Sequence, residues 1–382
     1  MKNLSTTIAQ LAAMRATMSS PASGGAHGQL VEIEGFGSNP GALKAKVHVP
    51  ARLAERPALV VVLHGCTQTA DGYDQGSGWS RLADDHGFIL LYPEQQRTNN
   101  PNLCFNWFSP ADTARDRGEA LSIRQMIATM IDTHDIDPSR VFVTGLSAGG
   151  AMSSILLAAY PELFAGGAII AGLPYGAASN VSQALDAMRG PGAYDGDELG
   201  DRVRQASAHV GPWPRVSVWH GTADATVNSA NADAILAQWL SVHGLDDLPT
   251  ATDMVAGHRH RTWHDAAGRP VLEDYRIANM GHGTPLATTG EDACGHAMPH
   301  MLEAGISSTR RIAASWHLLD DVADDAVASP TRDSREAIPD LPSIRTGRLE
   351  RMPTAETLSP ETVKIGVQKI IEDALRTAGL MR

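Results

Sequence analysis

The stretch Gly145-Leu146-Ser147-Ala148-Gly149 follows the apolar run Val141-Phe142-Val143 and precedes the small-residue stretch Gly150-Ala151-Met152. A strand, then G-x-S-x-G, then a helix places a serine on a strained turn with its hydroxyl pointing outward. The glycines flank it because side chains there would clash. Glycine is abundant, 36 of 382 residues, so the five-residue match alone is weak and the flanking patterns carry the weight. Ser147 is therefore the candidate nucleophile; the competing reading is a Gly-rich turn with a capping serine.

Strand and helix signals alternate on either side of this turn. Residues 31–36 and 44–49 alternate in period two and read as an antiparallel entry hairpin. Residues 59–63 (LVVVL) form a continuous apolar run, so a central strand buried on both faces. Residues 88–92 form another, ended by Pro93. Helical spacing follows over 119–133, where Ile123, Ile127 and Met130 share a face. Further strands are expected at 168–171, 216–219 and 271–277, with a helix at 231–240. The architecture is α/β: an α/β-hydrolase fold, a mostly parallel doubly wound sheet with a small helical lid insertion at about 173–210.

The flanks are of a different character. Residues 1–18 place Leu4, Ile8, Leu11 and Met14 at helical spacing. Ser5, Thr6, Thr7 and Gln10 interrupt any signal-peptide core, so a short amphipathic helix is expected. Residues 19–28 (SSPASGGAHG) read as a linker, making 1–29 an N-terminal segment and 30–318 the catalytic domain. Residues 319–382 hold an acidic, Pro-rich stretch and a closing helix with Ser359 as N-cap, Pro360 at its first position and Val363, Val367, Ile370 and Ala374 on one face. The formal net charge of −12 disfavours nucleic acid or an anionic membrane as partner. No apolar stretch approaches the roughly 18 residues of a membrane span.

A serine nucleophile needs a base, and the base needs a carboxylate to orient it. On this fold the chain order is Ser, then Asp or Glu, then His, each beyond the C-terminal end of a strand. The strand ending at Trp219 leads into His220-Gly221-Thr222-Ala223-Asp224, giving Asp224 as the acid. The strand ending at Ile277 leads into Asn279-Met280-Gly281-His282-Gly283, giving His282 as the base. Glu291 and Asp292 come after that histidine, the wrong order for the acid. An oxyanion hole needs the backbone N–H of the residue after the nucleophile, Ala148, and one from the loop after the first buried strand. In that loop, His64-Gly65-Cys66-Thr67-Gln68, the N–H of Cys66 is the leading candidate and Thr67 the alternative. His64 is expected to brace the loop.

These blocks resemble the esterase family that contains polyhydroxybutyrate depolymerases, feruloyl esterases and acetyl xylan esterases. The matching stretches are LHGCTQ (63–68), CFNWF (104–108), GEALSIRQMI (118–127), GLSAGG (145–150), GPWPRVSVWHGTAD (211–224), NADAILAQW (231–239), NMGHG (279–283) and CGHAMPHMLEAGISSTRRIAASW (294–316). The resemblance implies the triad Ser147, Asp224 and His282, with Cys66 at the oxyanion hole. It also implies a Cys66–Cys104 disulfide and an extracellular location, although no export signal is recognisable. Cys294 is then expected to be free and buried.

No cofactor is required by this chemistry. His258, His260 and His264, or Cys294, His296 and His300, lack the ligand sets of a metal site, so no metal is expected. Trp107 and Gln68 are the substrate-binding candidates, and Phe105, Phe108, Tyr73 and Trp79 are further candidates to line an apolar cleft. Hydroxyalkanoate esters or oligomers lead as substrates, with feruloyl or acetyl xylan esters as the alternative. The closing segment is too short for a polymer-binding module, which favours soluble esters or oligomers. A catalytically silent binding protein on this fold would show a broken triad, and an acyltransferase would exclude water. The sequence leaves the oligomeric state open.

Overall fold

Leu59–Leu63 explains the layering of the molecule. Leu59, Val61 and Leu63 pack into one apolar cluster, and Val60 and Val62 pack into a second on the opposite face of the sheet. All five side chains are fully buried. Each contributes on the order of 1.5–3 kcal/mol by leaving water. Both faces of the strand must therefore be covered by helices.

The computed structural model describes residues 30–290 and 292–319. The expectations for residues 1–29, Glu291 and 320–382 lie outside the described residues. Ten strands form one sheet: β1 (Val31–Ile33), β2 (Lys44–His48), β3 (Leu59–Leu63), β4 (Ile89–Glu94), β5 (Val141–Leu146), β6 (Gly166–Ile170), β7 (Arg215–Gly221), β8 (Ala251–Val255), β9 (His258–His264) and β10 (Pro270–Ile277). Their order is β1-β2-β4-β3-β5-β6-β7-β10-β9-β8. The run from β4 to β10 is parallel, with antiparallel pairs at both edges. The sheet is thus of the mostly parallel, α/β-hydrolase type.

Three details depart from the sequence reading. β4 runs on through Pro93 to Glu94, because Pro93 sits opposite Ala45 of the short entry strand β2. β8 escapes the sequence pattern: it is the outermost strand, half-exposed to exposed throughout, so it lacks an apolar face. Tyr73 and Trp79 are core residues. The Tyr73 hydroxyl bonds to Thr284 Oγ1 at 3.2 Å, and Trp79 stacks on Trp316. Trp316 also stacks on Phe142, pinning the end of the described chain to the sheet.

Chain order places the site. From β3 the sheet grows through β4 on one side and through β5 and its successors on the other. The C-terminal ends of β3 and β5 therefore mark a switch point, where open α/β sheets bind ligands. The insertion between β6 and β7 forms two helices, Val181–Arg189 and Gly196–Gln205. Hydrogen bonds tie it to the helix Ala230–His243: Gln238 Nε2 donates to Tyr175 O and Leu199 O, and Asn231 Nδ2 to Ala187 O. A cavity of about 120 Å³ lies between these helices, lined by Pro174, Ala187, Leu199 and Ala234 among others.

Candidate active site

Ser147 ends β5 and opens the helix Ala148–Ala159, with φ 58° and ψ −116°. A non-glycine residue in that region is strained, and the surroundings must hold it there. One hold is the Ser147 N–H, which donates to Ile170 O at 2.9 Å. Gly149 is dictated by close approach, since a Cβ there would meet His64 O at 2.6 Å. Elbow and β3 loop are thereby pressed together. The serine is nearly buried, with 9% of its surface exposed.

Asp224 and His282 meet across two neighbouring loops. Asn279 N–H donates to Thr222 Oγ1 at 2.9 Å, and Ala223 N–H donates to Met280 O at 3.0 Å. A Cβ on Gly221 would meet Gly281 O at 2.6 Å, so only glycine lets the loops close. Within this frame His282 Nδ1 donates to Asp224 Oδ2 at 2.7 Å, which leaves Nε2 without a hydrogen-bond partner among the described residues. Asp224 Oδ1 accepts from the N–H groups of Thr226 and Val227 at 2.8 and 2.9 Å. Burial works against the charge of this carboxylate. The hydrogen bonds from His220 and His282 outweigh it and hold the group far below the usual carboxylate range. Ser147 Oγ makes no hydrogen bond with His282 in this arrangement, and such contacts are commonly long without a substrate.

The loop after β3 is held from several directions. His64 Nδ1–H donates to Gly65 O at 2.8 Å, and Gln95 N–H donates to His64 Nε2 at 3.2 Å, which sets the neutral tautomer. Burial moves the same imidazole away from protonation, below its ordinary value. His64 therefore braces the loop. Thr67 N–H is already engaged with Asn102 O at 2.7 Å, whereas Cys66 N–H has no hydrogen-bond partner among the described residues. Ala148 N–H, at the first position of its helix, has no acceptor within the helix either. Gln68 turns its carboxamide oxygen inward, accepting from Gly65 N–H at 2.8 Å.

Cys66 and Cys104 are disulfide-bonded, and Cys294 is free and buried. Trp107 is 8% exposed and packs edge-on against Phe108 at 5.7 Å. Phe105 is fully buried against His64, and Tyr73 and Trp79 are buried to within 1%, so of the aromatic cleft candidates Trp107 and Phe108 keep the most exposed surface. His258 Nε2 and His260 Nε2 engage Ala304 O and the Glu273 carboxylate.

Three residues that the sequence reading gave no part in the site contact it directly or through the segment after β4. His220 Nε2 lies 3.3 Å from Asp224 Oδ2 and 2.9 Å from Val227 O. Both atoms facing it are acceptors, so Nε2 carries the proton. His300 Nδ1 donates to His282 O at 3.3 Å. Glu119 is fully buried and reached only by hydrogen-bond donors from distant loops. The WHGTAD and GEALSI blocks contain His220 and Glu119, but nothing local signals which atoms they meet.

The sheet and its switch point define a protein of the α/β-hydrolase type, and comparisons narrow the class to carboxylic ester hydrolases. Residues 43–262 match the family described as esterase PHB depolymerase, and the chain belongs to that family. A poly(3-hydroxyalkanoate) depolymerase C of Paucimonas lemoignei is 45% identical over 287 residues, covering 73% of this chain and 68% of the relative. A feruloyl esterase B of Talaromyces funiculosus is 32% identical over 265 residues, covering 67% of this chain and 73% of the relative. Among solved structures, an acetyl xylan esterase from Aspergillus awamori superposes with a TM-score of 0.62 at 28% identity, covering 67% of this chain and 94% of that one.

Proposed function

We propose that this ester hydrolase works through an acyl-enzyme on Ser147, with His282 as base and Asp224 as its orienting acid. The observation that carries the reading is the 2.7 Å His282–Asp224 bond, which leaves His282 Nε2 free beyond the strand ends where Ser147 sits. Ser147 Oγ attacks the ester carbonyl carbon as its proton passes to His282 Nε2. The charge that develops on the carbonyl oxygen is met by the N–H groups of Ala148 and Cys66. Collapse of the tetrahedral intermediate breaks the bond to the alkoxide, which leaves with the proton from His282. A water then repeats the sequence: His282 takes its proton, its oxygen attacks the acyl carbon, and the carboxylic acid departs as Ser147 is reprotonated. Each oxyanion donor is expected to contribute about 10²- to 10³-fold in rate.

Hydroxyalkanoate esters or oligomers are the proposed substrates. The identity to a poly(3-hydroxyalkanoate) depolymerase, 45% against 32% to a feruloyl esterase, supports this order. Trp107 and the amide N–H groups of Gln68 are the proposed substrate contacts. An extracellular location is proposed with it, because a disulfide suits an oxidising compartment. Among the described residues no helix is long and apolar enough to cross a membrane.

The test is a panel run on wild type and Ser147→Ala. It comprises p-nitrophenyl acetate, butyrate and octanoate, a 3-hydroxybutyrate oligomer, methyl ferulate and acetylated xylan. Turnover that disappears with Ser147 and is greatest on the oligomer supports the proposal. Turnover that survives the substitution overturns the mechanism, and a preference for ferulate or xylan overturns the substrate.

A further inference from the structure

Glu119 stands in the first turn of the helix Gly118–His134, fully buried, and makes no ion pair among the described residues. Its carboxyl instead collects N–H donors. Oε1 accepts from Gln95 Nε2 at 2.6 Å, Asn106 Nδ2 at 2.8 Å and Asn99 Nδ2 at 3.3 Å, and Oε2 accepts from Asn106 N–H at 2.8 Å. All four come from the segment 95–106, which follows β4. Burying a carboxyl away from any cation is costly, and well-packed apolar side chains stabilise such a position better. Stability alone does not account for the residue.

The same segment touches the β3 loop at three points. Gln95 N–H reaches His64 Nε2, and Asn102 O takes the Thr67 N–H. Cys104 is bonded to Cys66, while its carbonyl oxygen accepts from Gln95 Nε2 at 3.0 Å. Asn100 ties the segment internally, through Nδ2 to Asn106 Oδ1 at 2.9 Å and Oδ1 to Asn102 N–H at 3.0 Å. These contacts surround Cys66 and leave its N–H free. The carboxyl of Glu119 is the hub on which both ends of the segment converge.

We propose that Glu119 is a positioning residue for ester hydrolysis: it fixes the segment 95–106 so that the Cys66 N–H stays aimed at the developing oxyanion. This rests on the oxyanion-hole reading given above. It acts through the segment 95–106 and without touching substrate, so its effect falls on the transition state rather than on ground-state binding.

The test compares wild type, Glu119→Gln, Glu119→Ala and Ser147→Ala on p-nitrophenyl butyrate, with an alkyl trifluoromethyl ketone as a tetrahedral-adduct probe. Glu119→Ala is expected to lower kcat by about 10²-fold, the effect of losing one oxyanion donor. KM stays near the wild-type value, and the inhibition constant of the ketone rises in parallel with the loss in kcat. Glu119→Gln keeps one oxygen for the three side-chain amides and loses only the Asn106 N–H bond, so its loss is about tenfold, as for one hydrogen bond. Wild-type kcat and ketone inhibition in Glu119→Gln overturn the proposal, even if Glu119→Ala fails to fold. So does a change confined to melting temperature. Activity surviving in Ser147→Ala defeats the underlying mechanism instead, a result the Glu119 variants do not mimic.

Discussion

His220 and His282 hold the same oxygen: Asp224 Oδ2 receives His282 Nδ1–H at 2.7 Å and lies 3.3 Å from His220 Nε2. The His220 and Asp224 side chains are both fully buried, so neither contact competes with water. The pair of imidazoles keeps the carboxylate ionised inside the protein and fixes which of its oxygens faces His282. Replacing His220 by leucine removes one donor and leaves Val227 O unpaired. We expect kcat to fall about tenfold and stability to fall by about 1–3 kcal/mol, the cost of an unpaired buried acceptor. Steady-state kinetics with a denaturant melt check both, and an unchanged kcat contradicts the role given to His220.

Asp224→Asn tests the tautomer argument. An amide in place of the carboxylate no longer stabilises a proton on His282 Nδ1, so Nε2 ceases to be the basic nitrogen. A loss of about 10⁴-fold in kcat is expected, with little change in fold. Circular dichroism alongside the kinetics separates the two. Retention of more than about a tenth of the wild-type kcat in a folded variant, where a loss near 10⁴-fold is expected, contradicts the assignment.

Glu119 gives the protein a particular pH dependence. Burial pushes its carboxyl up to about 8, against the hydrogen bonds from Asn106 and Gln95 that favour the charged form. The folded state therefore holds this proton over a range in which the unfolded chain has released it. The associated stability is fully present below the unfolded carboxyl range, and it is lost as pH rises from about 4.5 to about 8. Melting temperature in that window should fall less steeply in Glu119→Gln than in wild type. Parallel curves contradict the titration of Glu119.

The Cys66–Cys104 bond closes a loop with a sequence separation of 38. Chain entropy assigns such a loop about 4 kcal/mol. Cys104→Ser should lower the denaturant midpoint accordingly, with kcat reduced more than KM is raised because the freed loop carries Cys66 N–H. An unaltered kcat in the folded variant shows that the hydrogen bonds from the segment 95–106 suffice to hold the loop.

Much of the candidate site was legible in the sequence because its logic is local. Ser147 announces itself through the glycines that the turn requires. Asp224 and His282 follow from chain order and strand ends, and the parallel sheet follows from runs such as 59–63 whose two faces are both apolar. The residues that escaped depend on long-range partners. Glu119 reads as an ordinary acidic residue at a helix start until Gln95, Asn99 and Asn106 are brought to it. His220 is one of two histidines flanking the Asp224 loop, and only the fold shows that it shares an oxygen with His282. Tyr73 and Trp79 failed as cleft residues because aromatic character does not say which side of a helix meets the core. β8 has no buried face, so no periodicity marks it.

In the proposed mechanism the ester's acyl group passes through Ser147. Its most direct test is to mix the enzyme with p-nitrophenyl butyrate, quench in acid on the millisecond scale, and measure intact and peptide masses. The expected result is a butyryl adduct on the Ser147 peptide that decays at the rate of turnover, absent from Ser147→Ala, which should also be inactive. An adduct on another residue, or steady hydrolysis by Ser147→Ala, contradicts it.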